Sequence, residues 1–198
     1  MPAEYVWDAL TPVQARELFR AFTRPWWVAG GWALDLHLGR ETRRHEDIDL
    51  AMLRGDEIAL AEMLPGWDIC IAEAGALIPW HGERPLDMPY HQFWVRRERD
   101  GPWRFEVLLE DHDGAGAWRC RRDHRVTLPI KRVGRVSSDG IPYVAPEIAL
   151  LYKAKGHEIA KNAADFTSTL PSLDEGARRW LRDALDVAHA EHPWLKVL

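Results

Sequence analysis

Apolar residues recur along this chain with two periods, about 3.6 and 2, and the switches between them outline mixed helices and strands. Thr11-Pro12-Val13-Gln14 opens a helix: Thr11 caps it, Pro12 suits its first turn and Gln14 completes a capping box. Ala15, Leu18, Phe19 and Phe22 supply its buried stripe. Residues 26–29 read as a strand and 31–38 as a short helix stopped by Gly39. Residues 45–53 alternate as a strand should, and Asp56 caps a helix that ends before Pro65-Gly66. Strands are predicted at 67–71 and 76–78, and the proline-broken stretch 79–89 reads as loop.

A hairpin follows, with strands at 93–97 and 103–109. In its second strand Trp103, Phe105, Val107 and Leu109 share one face and Arg104, Glu106 and Leu108 the other, so Glu106 is a lone acid in an otherwise apolar strand. Residues 110–113 read as a polar loop, and short strand-like pieces span 126–136. From Pro146 the period becomes helical. Ile148, Leu151, Tyr152 and Ile159 form a stripe with Lys155 in its middle, while Lys153 falls off it and reads as solvated. A second capping box, Ser172-Leu173-Asp174-Glu175, precedes a stripe of Ala177, Trp180, Leu181, Ala184, Leu185 and Ala188. The pattern predicts an α+β protein: a mixed sheet with helices on one face over residues 1–140, then a helical part over 141–198.

Within this pattern Asp47 and Asp49 are placed by alternation on one side of a strand, with Ile48, Leu50 and Met52 turned into the core. Two like charges so close repel, and a divalent cation between them removes the penalty; hard oxygen ligands suit Mg²⁺. Gly30 and Gly31 precede them, where bare backbone N–H groups at a helix start can meet a phosphate. The plain alternatives are a solvated strand end for the acids and a tight turn for the glycines. Glu106 could equally pair with Arg96 or Arg104 across the hairpin.

Composition narrows the partners. The chain has 198 residues, 46% hydrophobic and 29% charged, with a net charge of −5, which disfavours general nucleic-acid binding. A mild negative charge suits a cationic small molecule better. Cys70 and Cys120 stand alone, the histidines do not cluster, and no apolar run approaches the roughly 20 residues that span a bilayer. A reduced, cytoplasmic setting away from membranes is the expectation.

The segment Gly30, Gly31, Trp32, Ala33, Asp35, then Gly39, Arg40, Thr42, Arg43, His45, Asp47, Ile48 and Asp49 resembles the signature of the DNA polymerase beta-type nucleotidyltransferases, most closely the aminoglycoside 2''-nucleotidyltransferase branch. The resemblance implies a nucleotidyltransferase-like fold and transfer of a nucleoside monophosphate, AMP from ATP, to a hydroxyl of a small acceptor such as an aminoglycoside, with release of pyrophosphate. It further implies Mg²⁺ held by Asp47 and Asp49, with Glu106 where the family carries an aspartate, either completing the metal site or accepting the hydroxyl proton. Gly30, Gly31 and Arg43 would contact the triphosphate, and His45 would brace the acidic strand; Lys155, from its place in the helical stripe and not from the resemblance, is the further cation expected to reach the phosphates. The rival readings are a nucleotidyltransferase acting on a protein or RNA, and a non-catalytic nucleotide-binding regulator or antitoxin-like partner. Intact acids favour the enzyme.

Overall fold

The computed structural model describes residues 5–198. In chain order it contains α1 (Pro12–Leu18), β1 (Trp26–Val28), α2 (Gly30–Leu38), β2 (Asp49–Leu53), α3 (Glu57–Met63), β3 (Asp68–Glu73), β4 (Ala76–Pro79), β5 (Gln92–Arg96), β6 (Trp103–His112), β7 (Ala117–Cys120), β8 (Asp123–Pro129), β9 (Gly134–Val136), β10 (Pro142–Val144), α4 (Pro146–Ala154), α5 (Ala160–Thr169) and α6 (Glu175–Ala188). The sheet runs β4-β3-β5-β6-β2-β1-β10-β9, with β7 added to the far end of β6 and β8 to β7. The pairs β1–β10 and β2–β6 are parallel and the others antiparallel. This is the mixed α+β architecture that the pattern predicts.

Register decides which residues reach the core. Leu50 stands opposite Val107, Val107 opposite Phe93, and Phe93 opposite Ile71. Cross-strand partners share a face, and this row is at most 2% exposed. Phe19, just past α1, closes on it edge-on against Phe105 at 5.8 Å, and Trp80 packs on Phe93 at 5.5 Å. The row one residue along carries Asp49, Glu106, Trp94 and Cys70 on the opposite face. A slip of β2 by one residue would exchange Asp49 for Leu50. Each large apolar side chain gains about 1.5–3 kcal/mol on burial, so the acid row is held outward by the apolar row behind it.

The capping box of α1 is present, with Thr11 N–H donating to Gln14 Oε1 at 2.8 Å and Gln14 N–H to Thr11 Oγ1 at 3.2 Å. At the last helix the cap is Asp174 alone, whose carboxylate accepts from Ala177 N–H at 2.8 Å; Ser172 sits in a preceding 3₁₀ turn. The 79–89 stretch lacks regular structure over most of its length, yet it buries Trp80 and Leu86 completely. Glu57 anchors it by accepting from Leu86 N–H at 2.9 Å.

Two expectations are corrected. Residues 110–112 are no polar loop: β6 continues through them to pair with β7. Its acids are buried because each has partners: Glu110 accepts from Trp118 Nε1 and Tyr152 Oη, both at 2.7 Å, and Asp111 from Arg54 Nε at 2.7 Å. The stripe from Ile148 to Ile159 is not one helix either. α4 stops at Ala154, the chain turns at Gly156, and Ile159 precedes α5 as an exposed residue. α4 is buried nearly all round, so its sequence carries no single stripe. β10 adds to the sheet beside β1, and helix begins at Pro146.

Candidate active site

β1 delivers the chain to Ala29, whose N–H donates to Asp49 O at 2.8 Å, and α2 begins at once without a side-chain cap. The first N–H groups of an α-helix have no partner within it, so this start offers donors to an anion. Gly30 has φ +61°, and a Cβ on it would run into the Asp49 carboxylate. A Cβ on Gly31 would run into the guanidinium of Arg43 and the ring of His45. The glycine pair thus lets an acid and a cation close directly on the helix start.

Asp35, buried in α2, organises the loop that follows. It accepts from Thr42 Oγ1 at 2.5 Å and pairs with His45 Nε2 at 2.6 Å, while the His45 ring stacks on Trp32 at 4.2 Å. His45 thus ties the loop that leads to the acids back to α2, through Asp35 and Trp32, rather than to the acidic strand itself.

The strand bearing the acids is shorter than expected, beginning at Asp49 rather than at residue 45. Ile48 is nonetheless fully buried and its carbonyl accepts from Glu106 N–H at 3.0 Å, so the in–out alternation persists. Asp47 is exposed, Asp49 half-buried, and both line one cleft of about 340 Å³. Glu106 stands directly opposite Asp49 in the parallel β2–β6 pair. Burial, then the charge of Asp47, raises the Asp49 pKa to about 6. Burial, then the charges of Asp49 and Asp47, raises that of Glu106 to about 8. Among the described residues no three acidic, histidine or cysteine side chains close into an ion cage. The fit to a hard divalent ion lies in the donor chemistry, since oxygen ligands repel one another where such an ion would relieve them.

Cations face the acids across the cleft. Lys153 from α4 and Arg43 both engage Asp165 of α5, Lys153 Nζ at 2.8 Å and Arg43 Nε at 3.2 Å, and Lys161 lines the same cleft. Burial raises the Asp165 pKa, but hydrogen bonds from Arg43 and Lys153 outweigh it and hold the carboxyl below its usual value. An adjoining chamber of about 250 Å³ runs from Asp49 past Leu108 and Arg121 to Tyr152. Arg121 lies over the Tyr152 ring at 4.6 Å, and its buried Nη1 has no hydrogen-bond partner among the described residues.

The structure therefore brings together Gly30, Gly31, Arg43, Asp47, Asp49 and Glu106. It does not bring Lys155, which caps the C-terminus of α4 and is exposed. Lys153 takes the place expected of Lys155, because the helix ends before the assumed stripe can carry Lys155 inward. Lys161, Arg121, Asp35 and Asp165 were not singled out as site residues. A signal for Asp165 existed: Asn162, Asp165, Phe166 and Thr169 recur at helical spacing, and polar groups on a buried stripe call for partners.

If the Gly30 backbone is shaped by the acid beside it, Gly30→Ala should cost more than its conformational penalty of about 1 kcal/mol. Gly39, at φ +67° with open space around it, is the control that carries that penalty alone. Denaturant midpoints of Gly30→Ala and Gly39→Ala compare the two, and equal losses would show that Asp49 yields freely.

The overall fold, with a cleft of paired acids beside a glycine turn at a helix start, is shared with solved structures. A lincomycin-bound lincosamide antibiotic adenylyltransferase superposes with a TM-score of 0.55 at 16% identity, covering 80% of this chain and 94% of that one. ANT(2'')-Ia in complex with adenylyl-2''-tobramycin gives 0.52 at 21% identity, over 85% and 91%. In sequence, residues 13–70 match the family described as aminoglycoside-2''-adenylyltransferase. Relatives termed 2''-aminoglycoside nucleotidyltransferase from Escherichia coli and Klebsiella pneumoniae are 53% identical over 45 residues, 21% of this chain and 25% of their own length. The match spans only about a quarter of those relatives. The resemblance to this branch is thus borne out over the segment carrying the glycine pair and both aspartates, while the family match stops at residue 70, short of Glu106 and the helical cations.

Proposed function

We propose that this protein is a Mg²⁺-dependent nucleotidyltransferase that moves AMP from ATP to a hydroxyl of a small amino-sugar acceptor of the aminoglycoside kind, releasing pyrophosphate. The observation that carries the reading is the register of Asp49 with Glu106 at the mouth of a cleft whose other wall is cationic. Relatives and fold neighbours named for transfer to aminoglycosides and lincosamides support the acceptor class. The two parts divide the work: residues 1–140 carry the acids and the glycine turn, and 141–198 supply cations from above.

In this reading the N–H groups at the α2 start, with Arg43, Lys153 and Lys161, hold the β and γ phosphates. Asp47 and Asp49 would hold the divalent ion, with Glu106 extending the donor set, and the ion supplies charge neutralisation on the phosphates. The acceptor oxygen attacks the α-phosphorus as the bond to the bridging oxygen of pyrophosphate breaks. Glu106 takes the proton that the hydroxyl gives up. Asp165 keeps Lys153 and Arg43 at fixed positions, so they need not reorganise as charge moves onto the leaving group.

Pyrophosphate release from ATP, with Mg²⁺ and a panel of aminoglycosides, tests the reaction. Absence of acceptor-dependent release across nucleotides and acceptors would leave a nucleotide-binding regulator. The same assay separates the two lysines. Lys153→Met should raise the ATP KM at least tenfold, the scale of one lost charge contact. Lys155→Met should leave both kcat and KM unchanged; the reverse result would return the triphosphate to the far end of α4.

A further inference from the structure

We propose that the amino-sugar acceptor binds on an aromatic platform built around Trp94, with Tyr5 and Trp7 beside it, next to Glu106 on the flank of the acid row away from the phosphate cleft. The proposal rests on the nucleotidyl-transfer reading above and adds to it where the acceptor sits and what recognises it.

Register supplies the location. Asp49, Glu106 and Trp94 are successive cross-strand partners on β2, β6 and β5, so Trp94 is the neighbour of Glu106 on the side opposite Asp49. In phosphoryl transfer the attacking and leaving oxygens lie roughly in line through the phosphorus. The phosphate-holding groups Arg43, Lys153 and Lys161 stand on the Asp49 side, lining the cleft at the α2 start. Pyrophosphate leaves toward them, and the acceptor hydroxyl must come from the other side. That approach passes over β5. Gln92, two residues before Trp94 on the same face and half-buried, adds an amide to the approach.

The chemistry of the platform suits an amino sugar. Trp94 is half-buried and held edge-on by three rings: Tyr5 at 4.9 Å and 88°, Trp7 at 5.1 Å and 64°, and Trp103 at 5.5 Å and 72°. A ring so braced loses little freedom when a ligand stacks on it. Tryptophan offers the best aromatic face for an ammonium group, which an amino sugar carries and a neutral sugar lacks. The cluster already holds one cation in this way, the Arg96 guanidinium 4.2 Å from the Trp103 ring. Trp94 Nε1 is buried and makes no hydrogen bond of good geometry among the described residues; it is directed at Glu106, whose charged form it favours, and this ties the platform to the acid row.

The competing role for these rings is anchorage of the chain's start. Trp103 N–H donates to Val6 O at 2.9 Å and Asp8 N–H to Trp103 O at 3.0 Å, so the cluster does tie down that segment. Calorimetric titration of the full chain separates the roles, with MgATP, tobramycin and lincomycin as probes against wild type, Trp94→Phe and Trp94→Ala. The subsite requires tobramycin affinity to fall about tenfold in Trp94→Phe, which keeps a ring but weakens its face and removes the N–H, and further in Trp94→Ala. MgATP affinity should be unchanged in both. Unaltered tobramycin binding in Trp94→Phe and Trp94→Ala overturns the platform while the transfer reading stands. Wild type that binds MgATP but neither antibiotic also overturns it. Wild type that binds no MgATP removes the transfer reading, and the platform with it. If Trp94→Ala proves unfolded by its melting curve, Trp94→Phe alone decides.

Discussion

Asp49→Asn and Glu106→Gln will each abolish most turnover and at the same time raise the melting temperature of the metal-free protein. The loss follows from their proposed work: on the order of 10³ for a metal-holding carboxylate and 10² or more for the proton acceptor. The gain follows from repulsion on the row that Asp49 and Glu106 share. Glu106 has a folded pKa of about 8, above its ordinary 4.5, chiefly because burial and then Asp49 oppose its charge. A raised folded pKa means the folded state holds the proton more tightly. That contribution to stability is complete below about pH 4.5 and disappears as pH rises through 8. Asp49, raised to about 6, adds a loss of the same sign at lower pH. In EDTA the wild-type melting temperature should therefore fall from pH 5 to pH 8.5, beyond the trend of Glu106→Gln, and Mg²⁺ should restore it at the alkaline end. Parallel pH profiles for wild type and Glu106→Gln would show that the acids do not strain the fold, and near-normal turnover would return Glu106 to the sheet as an ordinary charge.

The part of this site legible in sequence is the part encoded locally. Gly30, Gly31, Asp47 and Asp49 fall within twenty residues, and strand alternation alone put Glu106 on the open face of β6. What the sequence could not convey was where helices end and which distant residues meet. Lys155 stood on an apparent stripe only if helix ran past Gly156, where a Cβ would press on Ile159 at 2.9 Å and Asn162 at 3.1 Å. With the turn there, the cation nearest the cleft is two residues earlier. β7 was missed because the sequence pattern places a polar loop at 110–113 and resumes with strands only at 126, although Trp118 and Cys120 alternate between them as a buried strand. Arg43 and Asp165 meet across 122 residues, and no periodicity reports such a pairing.

That last pairing carries the other large effect. Asp165→Asn should destabilise the protein by about 3 kcal/mol, the scale of removing one partner from a buried ion pair, which at this chain length lowers the melting temperature by about 6–12 °C. Burial sets that scale: the Asp165 side chain is 4% exposed, and the Lys153 side chain that it holds is 12% exposed. Arg43, at 28%, can turn to water and loses less. The aspartate therefore serves mainly to pair a lysine at the edge of the cleft. Loss of the carboxylate leaves that ammonium only the Asn162 amide oxygen, at 3.4 Å, and no paired anion until a triphosphate arrives. ATP should accordingly raise the melting temperature of Asp165→Asn by more than it raises that of wild type, even as turnover falls, because binding now restores a partner as well as adding its own affinity. Thermal shifts with and without MgATP, in wild type and Asp165→Asn, check this directly. Equal ATP-induced shifts would place the phosphates out of reach of Lys153 and Arg43, and the helical part would then cover the cleft without holding its substrate.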